Sequence, residues 1–371
     1  MEKQKVLVLG GTGTIGSHLV SLLKDSDYEV VVTSRSDRQS QGNIKYVKGN
    51  AHEVEFLQTI LNEHYLAIVT FMTYKSDEFD ALAPLMLDAT DQFFFLSSCR
   101  SYADSNEIIT EDSPQLLDTC KDEDFLTSDN YALAKARQER FLRNSGRTNW
   151  TIVRPYLTYS EQRLQLGFFE QGSWLMHAIK GKTIVFSEDM ASKYTTLTYG
   201  EDVAKAISQL IDNEKAFGEA FNVTCGKSLL WSEVLGIYTR ELSNLLGIKV
   251  KTKMLPKAPV SDWPTEKWTY KYDRIYNRRF SNKKLLSVLE NFKFTNPEDG
   301  LRKCIRLFYA KPFDAGFSWA VQARFDQITG EWSSYKEFSS VKEYASYLKY
   351  RVLSKKLLAV LNNIKHKIYK K

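Results

Sequence analysis

Cysteine and proline are scarce in this chain of 371 residues, at four and eight. The cysteines, Cys99, Cys120, Cys225 and Cys304, show no metal-type spacing, so no metal is expected. Without a secretion signal they read as free thiols in a reducing compartment. No apolar run approaches the ~18 residues that a membrane span needs. The N-terminus offers no signal peptide: Met1-Glu2-Lys3 runs straight into Val6-Leu7-Val8-Leu9-Gly10, which reads as a buried strand. Internal repeats and low-complexity segments are missing as well. These absences point to the cytoplasm. The net charge of +6 sits mainly in the tail, where residues 341–371 carry nine Lys/Arg against one Glu. The rest of the chain has no basic excess, so no nucleic-acid partner is expected.

What is present is an alternation of short apolar runs and helical patterns. Lys5–Leu9, Glu29–Thr33, Ile44–Lys48, Leu66–Phe71, Phe93–Leu96 and Thr151–Val153 read as buried strands. Between the first two, Ile15, Leu19, Leu22 and Leu23 repeat at helical spacing. Apolar strands separated by amphipathic helices imply a parallel sheet covered on both faces. With right-handed crossovers the fold class is α/β, a doubly wound Rossmann sheet. Residues 1–155, completed by about 191–225, are expected to form the dinucleotide-binding domain. The latter stretch holds a helix pattern within 196–212 and a strand at Ala220–Val223. Residues 156–190 and 226–300, with a helix at Trp231–Leu246, suggest a smaller substrate-binding lobe. Residues 301–371 form a C-terminal extension, an aromatic segment followed by a long basic helix.

Between the first strand and first helix lies Gly10-Gly11-Thr12-Gly13-Thr14-Ile15-Gly16. Glycines at 10, 13 and 16 let the backbone turn tightly and approach a pyrophosphate, and let helix pack closely on strand. The helix N-terminus then meets the phosphates with free N–H groups and a positive dipole end. In this context the turn reads as a dinucleotide site, NAD(P), with Thr14 and Ile15 at its rim. An NAD site usually ends its second strand in Asp or Glu. Here Ser34-Arg35 stands there, and a guanidinium beside a hydroxyl suits a 2′-phosphate. NADP is therefore favoured over NAD. Gly49-Asn50 follows the third strand, where Asn50 is placed to contact the adenine.

Ser97-Ser98 closes the strand at Phe93–Leu96, and Tyr131-Ala-Leu-Ala-Lys135 falls in a helix pattern. Four residues of spacing put Tyr131 and Lys135 on one helical face. An adjacent ammonium favours phenolate. A tyrosine so placed exchanges a proton with a substrate hydroxyl while a nicotinamide exchanges hydride. A serine hydroxyl nearby would fix the same oxygen.

In this order of motifs, closed by Arg154-Pro155 after the next strand, the chain resembles the extended short-chain dehydrogenase/reductases, the nucleotide-sugar epimerase/dehydratase group. The likeness covers residue 5 to about 300. It implies that Ser98 is the catalytic Ser/Thr, Tyr131 the acid/base, and Lys135 its partner and a holder of the nicotinamide ribose. It also aligns Asp202-Val203-Ala204 with the family's helix start and Phe221-Asn222-Val223 with its late strand. Four positions depart from the pattern. Cys99-Arg100 replaces the Asp-Glu pair of 4,6-dehydratases, so water elimination is not expected. Thr195-Thr196 replaces an arginine that contacts the substrate diphosphate. Arg100, Arg278 and Arg279 become the candidates for the substrate. Phe71-Met72-Thr73-Tyr74 replaces a His-containing turn, and Gly49-Asn50 a Gly-Asp.

The expected function is reversible hydride transfer on a nucleotide-linked sugar, as an epimerase or keto-sugar reductase. A homodimer fits such an enzyme. The alternative is a non-catalytic dinucleotide-binding regulator or RNA-binding protein of the same fold, which would need no intact reaction centre. In the tail, Leu353, Leu357, Leu361, Ile364 and Ile368 recur at helical spacing among lysines. Such a helix suits an anionic membrane surface or an acidic partner, or it docks on the enzyme itself.

Overall fold

The computed structural model describes residues 3–259, 267–312 and 316–353. Seven parallel strands form its central sheet: β1 (Lys5–Leu9), β2 (Glu29–Ser34), β3 (Ile44–Lys48), β4 (Tyr65–Thr70), β5 (Thr90–Leu96), β6 (Trp150–Arg154) and β7 (Glu219–Asn222). Their spatial order is β3-β2-β1-β4-β5-β6-β7. The chain order reverses between β1 and β4, so a crevice opens at the carboxyl ends of these strands, where doubly wound sheets bind ligands. All seven strands expected from the sequence are there. β4 starts and ends one residue earlier than its apolar run suggested.

Alternation along β1 explains the double covering. Val6 and Val8 face one core and Leu7 and Leu9 the other, as the two-residue strand period dictates. On the first face, helix α1 (Gly16–Leu23) buries Leu19, Val20 and Leu23. On the second, α2 (Ser76–Asp88) buries Phe79, Leu82 and Met86 beside Leu142 of α3 (Tyr131–Asn144). Helix α4 (Gln171–Ile179) belongs to a third core outside the sheet, through Trp174 and Leu175. Back on the first face, α5 (Gly200–Leu210) adds Val203, Ile207 and Leu210. The third core also takes α6 (Trp231–Leu246), with the bounds its periodicity predicts, and α7 (Pro297–Ala310). The Trp174 and Tyr238 rings stack at 4.5 Å within it. Asn296 caps α7 by accepting from Glu298 N at 3.0 Å, with Pro297 at the first helical position, where its missing N–H costs nothing.

The aromatic C-terminal segment contains α8 (Trp319–Thr329), which pairs with α9 (Val341–Val352). Tyr347 is fully buried. Its hydroxyl donates to Asp326 at 2.6 Å and accepts from Ser333 N at 2.9 Å. Asp326 in turn accepts from Lys182 Nζ at 2.7 and 2.9 Å. The start of the basic tail is therefore docked on the body rather than free. Leu357, Leu361, Ile364 and Ile368 lie outside the described residues. Among the described residues, no helix is long and apolar enough to cross a membrane.

Candidate active site

The glycine turn leaves the carboxyl end of β1 with Gly10 at φ +74°, a conformation that favours glycine. Gly10 N donates to Thr33 Oγ1 at 3.1 Å, tying the turn to β2. A Cβ on Gly16 would stand 2.8 Å from Gly10 O and Gly11 Cα, and one on Gly11 2.6 Å from Val32. These two glycines are required by packing of turn and helix on the sheet. At Gly13 a Cβ would meet only Gly10 O, at 3.6 Å, so its outer face is open. A dinucleotide fits this cradle: the backbone can come close to a pyrophosphate at the N-terminus of α1. At the end of β2 the Ser34 hydroxyl donates to Ser36 O at 2.8 Å. Arg35 is exposed and forms no ion pair among the described residues. Asn50 donates to Glu53 Oε1 at 3.2 Å and accepts from His52 N at 3.3 Å, which holds it in the turn after β3.

A cleft of about 630 Å³ opens beside this turn. Ile15 of the turn, Ser98, Tyr131, Arg100, Phe168 and Arg274 are among the residues that line it. Ser98 follows β5 and caps a short 3-10 turn, its hydroxyl accepting from Arg100 N at 3.2 Å. Tyr131 opens α3, whose cap is Asn130 accepting from Ala132 N at 3.1 Å. One turn on, Lys135 is buried, its ammonium 4.6 Å from the Phe95 ring centroid and 5.9 Å from that of Tyr131. Burial pushes its pKa down to about 7, with Glu139 opposing the shift; removal from water disfavours the charged form.

A further turn along the same face stands Glu139, which sequence reasoning passed over. It is fully buried, accepts from Arg154 at 2.8 and 2.5 Å, and is hydrogen-bonded by Ser97 Oγ. Arg154 also donates to the Tyr102 hydroxyl and, at 3.0 Å, to Glu111 O. Tyr102 donates to Asn222 Oδ1 at 2.8 Å. This network clamps α3 against the ends of β5, β6 and β7 and so fixes where Tyr131 and Lys135 point. The sequence signal of Glu139 itself is the continued four-residue spacing 131, 135, 139. Asp202 serves packing too, accepting from Thr295 N at 2.7 Å.

The candidate substrate arginines fare unequally. Arg100 lines the cleft, donates to Thr269 Oγ1 at 3.0 Å, and lies 5.2 Å above the Tyr131 ring centroid. Arg278 does not fit its expected role. It is fully buried, with Nε on Asp273 at 3.0 Å, Nη1 on the carbonyls of Tyr102 and Ala103 at 3.0 and 3.2 Å, and Nη2 on Tyr272 O at 3.0 Å. Each of its nitrogens is already engaged. Arg279 donates to Asn106 O and lies 5.2 Å from the Tyr194 ring, away from the cleft lining. Arg274, not singled out from sequence, lines the cleft instead.

The family model described as NAD(P)H-binding matches residues 10–214. The chain belongs to this family. Its fold is shared with solved epimerases. A putative epimerase from Burkholderia cenocepacia superposes with a TM-score of 0.64 at 18% identity, covering 83% of this chain and 98% of that one. UDP-glucose 4-epimerase from Thermotoga maritima, solved with UDP-glucose, gives 0.62 at 17% identity, covering 83% and 99%. Among curated proteins, the chloroplast stem-loop binding protein of 41 kDa b of Arabidopsis thaliana is 23% identical over 240 residues, 60% of this chain and 59% of that protein. The 2′-dehydrokanamycin reductase of Streptomyces kanamyceticus is 25% identical over 241 residues, 62% and 64%. The chain thus spans about three fifths of the length of these curated relatives.

Proposed function

We propose that the protein is an NAD(P)-dependent oxidoreductase or epimerase of a nucleotide-linked sugar, with NADP favoured, and that Ser98, Tyr131 and Lys135 carry the reaction. The observation that supports this most is that Ser98, Tyr131 and Ile15 of the glycine turn face one cleft. A group held at the turn and a group held in the cleft would share the space over Tyr131.

When bound, the nicotinamide supplies a hydride acceptor or donor. The chain's own residues do the rest. Ser98 Oγ orients the substrate hydroxyl toward Tyr131. Tyr131 takes that proton as the carbon is oxidised and returns it on reduction. Lys135, beneath the ring, stabilises the phenolate when charged. The segments 156–190 and 226–300 supply Phe168, Thr269 and Arg274 to the cleft, in keeping with a substrate-binding role for that lobe. Exposed Arg35 favours NADP, since its guanidinium is uncommitted where a 2′-phosphate would lie.

Cys99 and Arg100 stand where 4,6-dehydratases carry Asp-Glu, so elimination of water is not expected, which leaves epimerase or keto-sugar reductase. The Thermotoga maritima neighbour solved with UDP-glucose supports that substrate class. The test is incubation with a panel of UDP-, GDP-, CDP- and dTDP-sugars plus cofactor. An isomer of unchanged mass is expected from an epimerase, and a two-hydrogen change from a reductase. No turnover on any member sinks the proposal. A second reading, RNA binding, draws on the stem-loop binding relative. It predicts stem-loop affinity that survives Tyr131→Phe, and gel-shift titration decides it.

A further inference from the structure

The cleft wall has an unbalanced charge. Arg163 and Glu170 both line it, but they pair with each other at 2.9 Å and cancel. Behind them, one carboxylate, Asp273, serves three guanidiniums. Arg274 bonds one of its oxygens, Arg278 Nε lies 3.0 Å from the other, and Arg100 Nε is 3.2 Å away. That ion-pair contact of Arg100 lacks hydrogen-bond geometry, and its buried Nε has no hydrogen-bond partner. Three positive charges against one negative leave an excess of two at the wall of the cleft.

Arg278 is committed to backbone carbonyls, and buried Arg274 spends its Nε on Gly167 O at 3.0 Å and its Nη1 on Asp273, so the excess faces the cleft through Arg100 and the remaining edge of Arg274. Burial raises the Asp273 carboxyl pKa, but Arg274, Arg278 and Arg100 outweigh it and hold it below the usual carboxylate range. Burial also pulls Arg100 below arginine's usual value, opposed by Asp273 and reinforced by Arg274. A buried uncompensated charge is costly until an anion meets it, and guanidinium forks match carboxylates in shape. Because Arg100 lies over the Tyr131 ring, the anion belongs beside the reacting carbon. Thr269 and Phe168 flank the same wall, so it enters from the substrate side.

We propose that Arg100 and Arg274 receive a carboxylate that the substrate carries next to its reacting carbon, so that the sugar is acidic. The inference rests on the nucleotide-sugar reading and narrows it. The test titrates protein loaded with NADPH, which cannot take a hydride from the sugar, with UDP-glucose, UDP-glucuronate and free glucuronate by calorimetry. UDP-glucuronate is expected to bind at least ~10-fold tighter than UDP-glucose, the scale of one charge-assisted contact. Arg100→Gln should erase that advantage. Arg274→Lys, which keeps a positive charge beside Asp273, should reduce it, with a thermal melt beside the titration to confirm that the variant is folded. Equal binding of the two UDP-sugars overturns the inference. So does an equal loss for both in Arg100→Gln, which would put the guanidinium on the diphosphate. Binding of free glucuronate without either UDP-sugar keeps the carboxylate receptor but sinks the nucleotide-sugar reading. Silence from all three probes overturns both.

Discussion

Lys135 is a buried cation without a carboxylate at contact distance among the described residues, so the apo protein should become more stable when its charge is removed. Its pKa falls from 10.5 in water to about 7 in the fold. Each unit corresponds to about 1.4 kcal/mol. The ammonium therefore costs the folded state up to about 5 kcal/mol at pH 6, an upper bound because water penetration softens it. The sign follows from proton linkage. Between pH 7 and 10.5 the unfolded chain holds this proton and the folded chain does not. Stability from this residue thus rises with pH across that window, and the penalty is largest below it. Lys135→Met keeps the stem that packs on Phe95 and removes the charge. Urea unfolding of apo protein should show a gain of roughly 2–5 kcal/mol at pH 6, shrinking to about 1.5 kcal/mol or less at pH 9.5. Turnover should collapse at the same time, a stability–function trade-off of the kind active sites show. A variant destabilised at pH 6, or a gain independent of pH, would refute the reasoning.

Three further outcomes follow from named residues. Arg35→Ala should weaken NADP about tenfold or more while sparing NAD, as expected for one lost phosphate contact; cofactor titration by fluorescence checks it. Incubation with a nucleotide sugar should never yield a product lighter by one water, because Cys99 and Arg100 supply no acid pair; mass spectrometry checks it. Removing residues 354–371 should leave folding intact and abolish any salt-sensitive binding to anionic liposomes. Cutting at 341 should destabilise, since it strips Tyr347 from Asp326; co-sedimentation and thermal melts separate the two.

The sheet was legible because its strands, edge strand β3 aside, are largely apolar on both faces, so length and flanking glycines marked them without tertiary knowledge. Helix Trp231–Leu246 was legible down to its bounds, with Gly247 at φ +66° ending it. The glycine turn and the pair Tyr131–Lys135 were legible because they depend on local spacing. What stayed hidden depends on distant partners. Arg278 was a candidate for the substrate, and only the fold shows Asp273 and three carbonyls consuming it. Arg274 carries no motif and reaches the cleft through the same stretch that brings Thr269 to its wall. The tail read as one long basic helix, because periodicity does not reveal that Tyr347 docks between Ser333 and Asp326.

The central claim is that Tyr131 exchanges the substrate proton over a dinucleotide held at Gly10–Gly16. Its most direct measurement is turnover and NADP(H) affinity of Tyr131→Phe beside the parent protein, on whichever nucleotide sugar the panel identifies. Cofactor affinity should stay within about twofold while turnover falls ~100-fold or more, the usual scale for a lost general acid/base. Undiminished turnover would contradict the claim and remove Tyr131 from the chemistry.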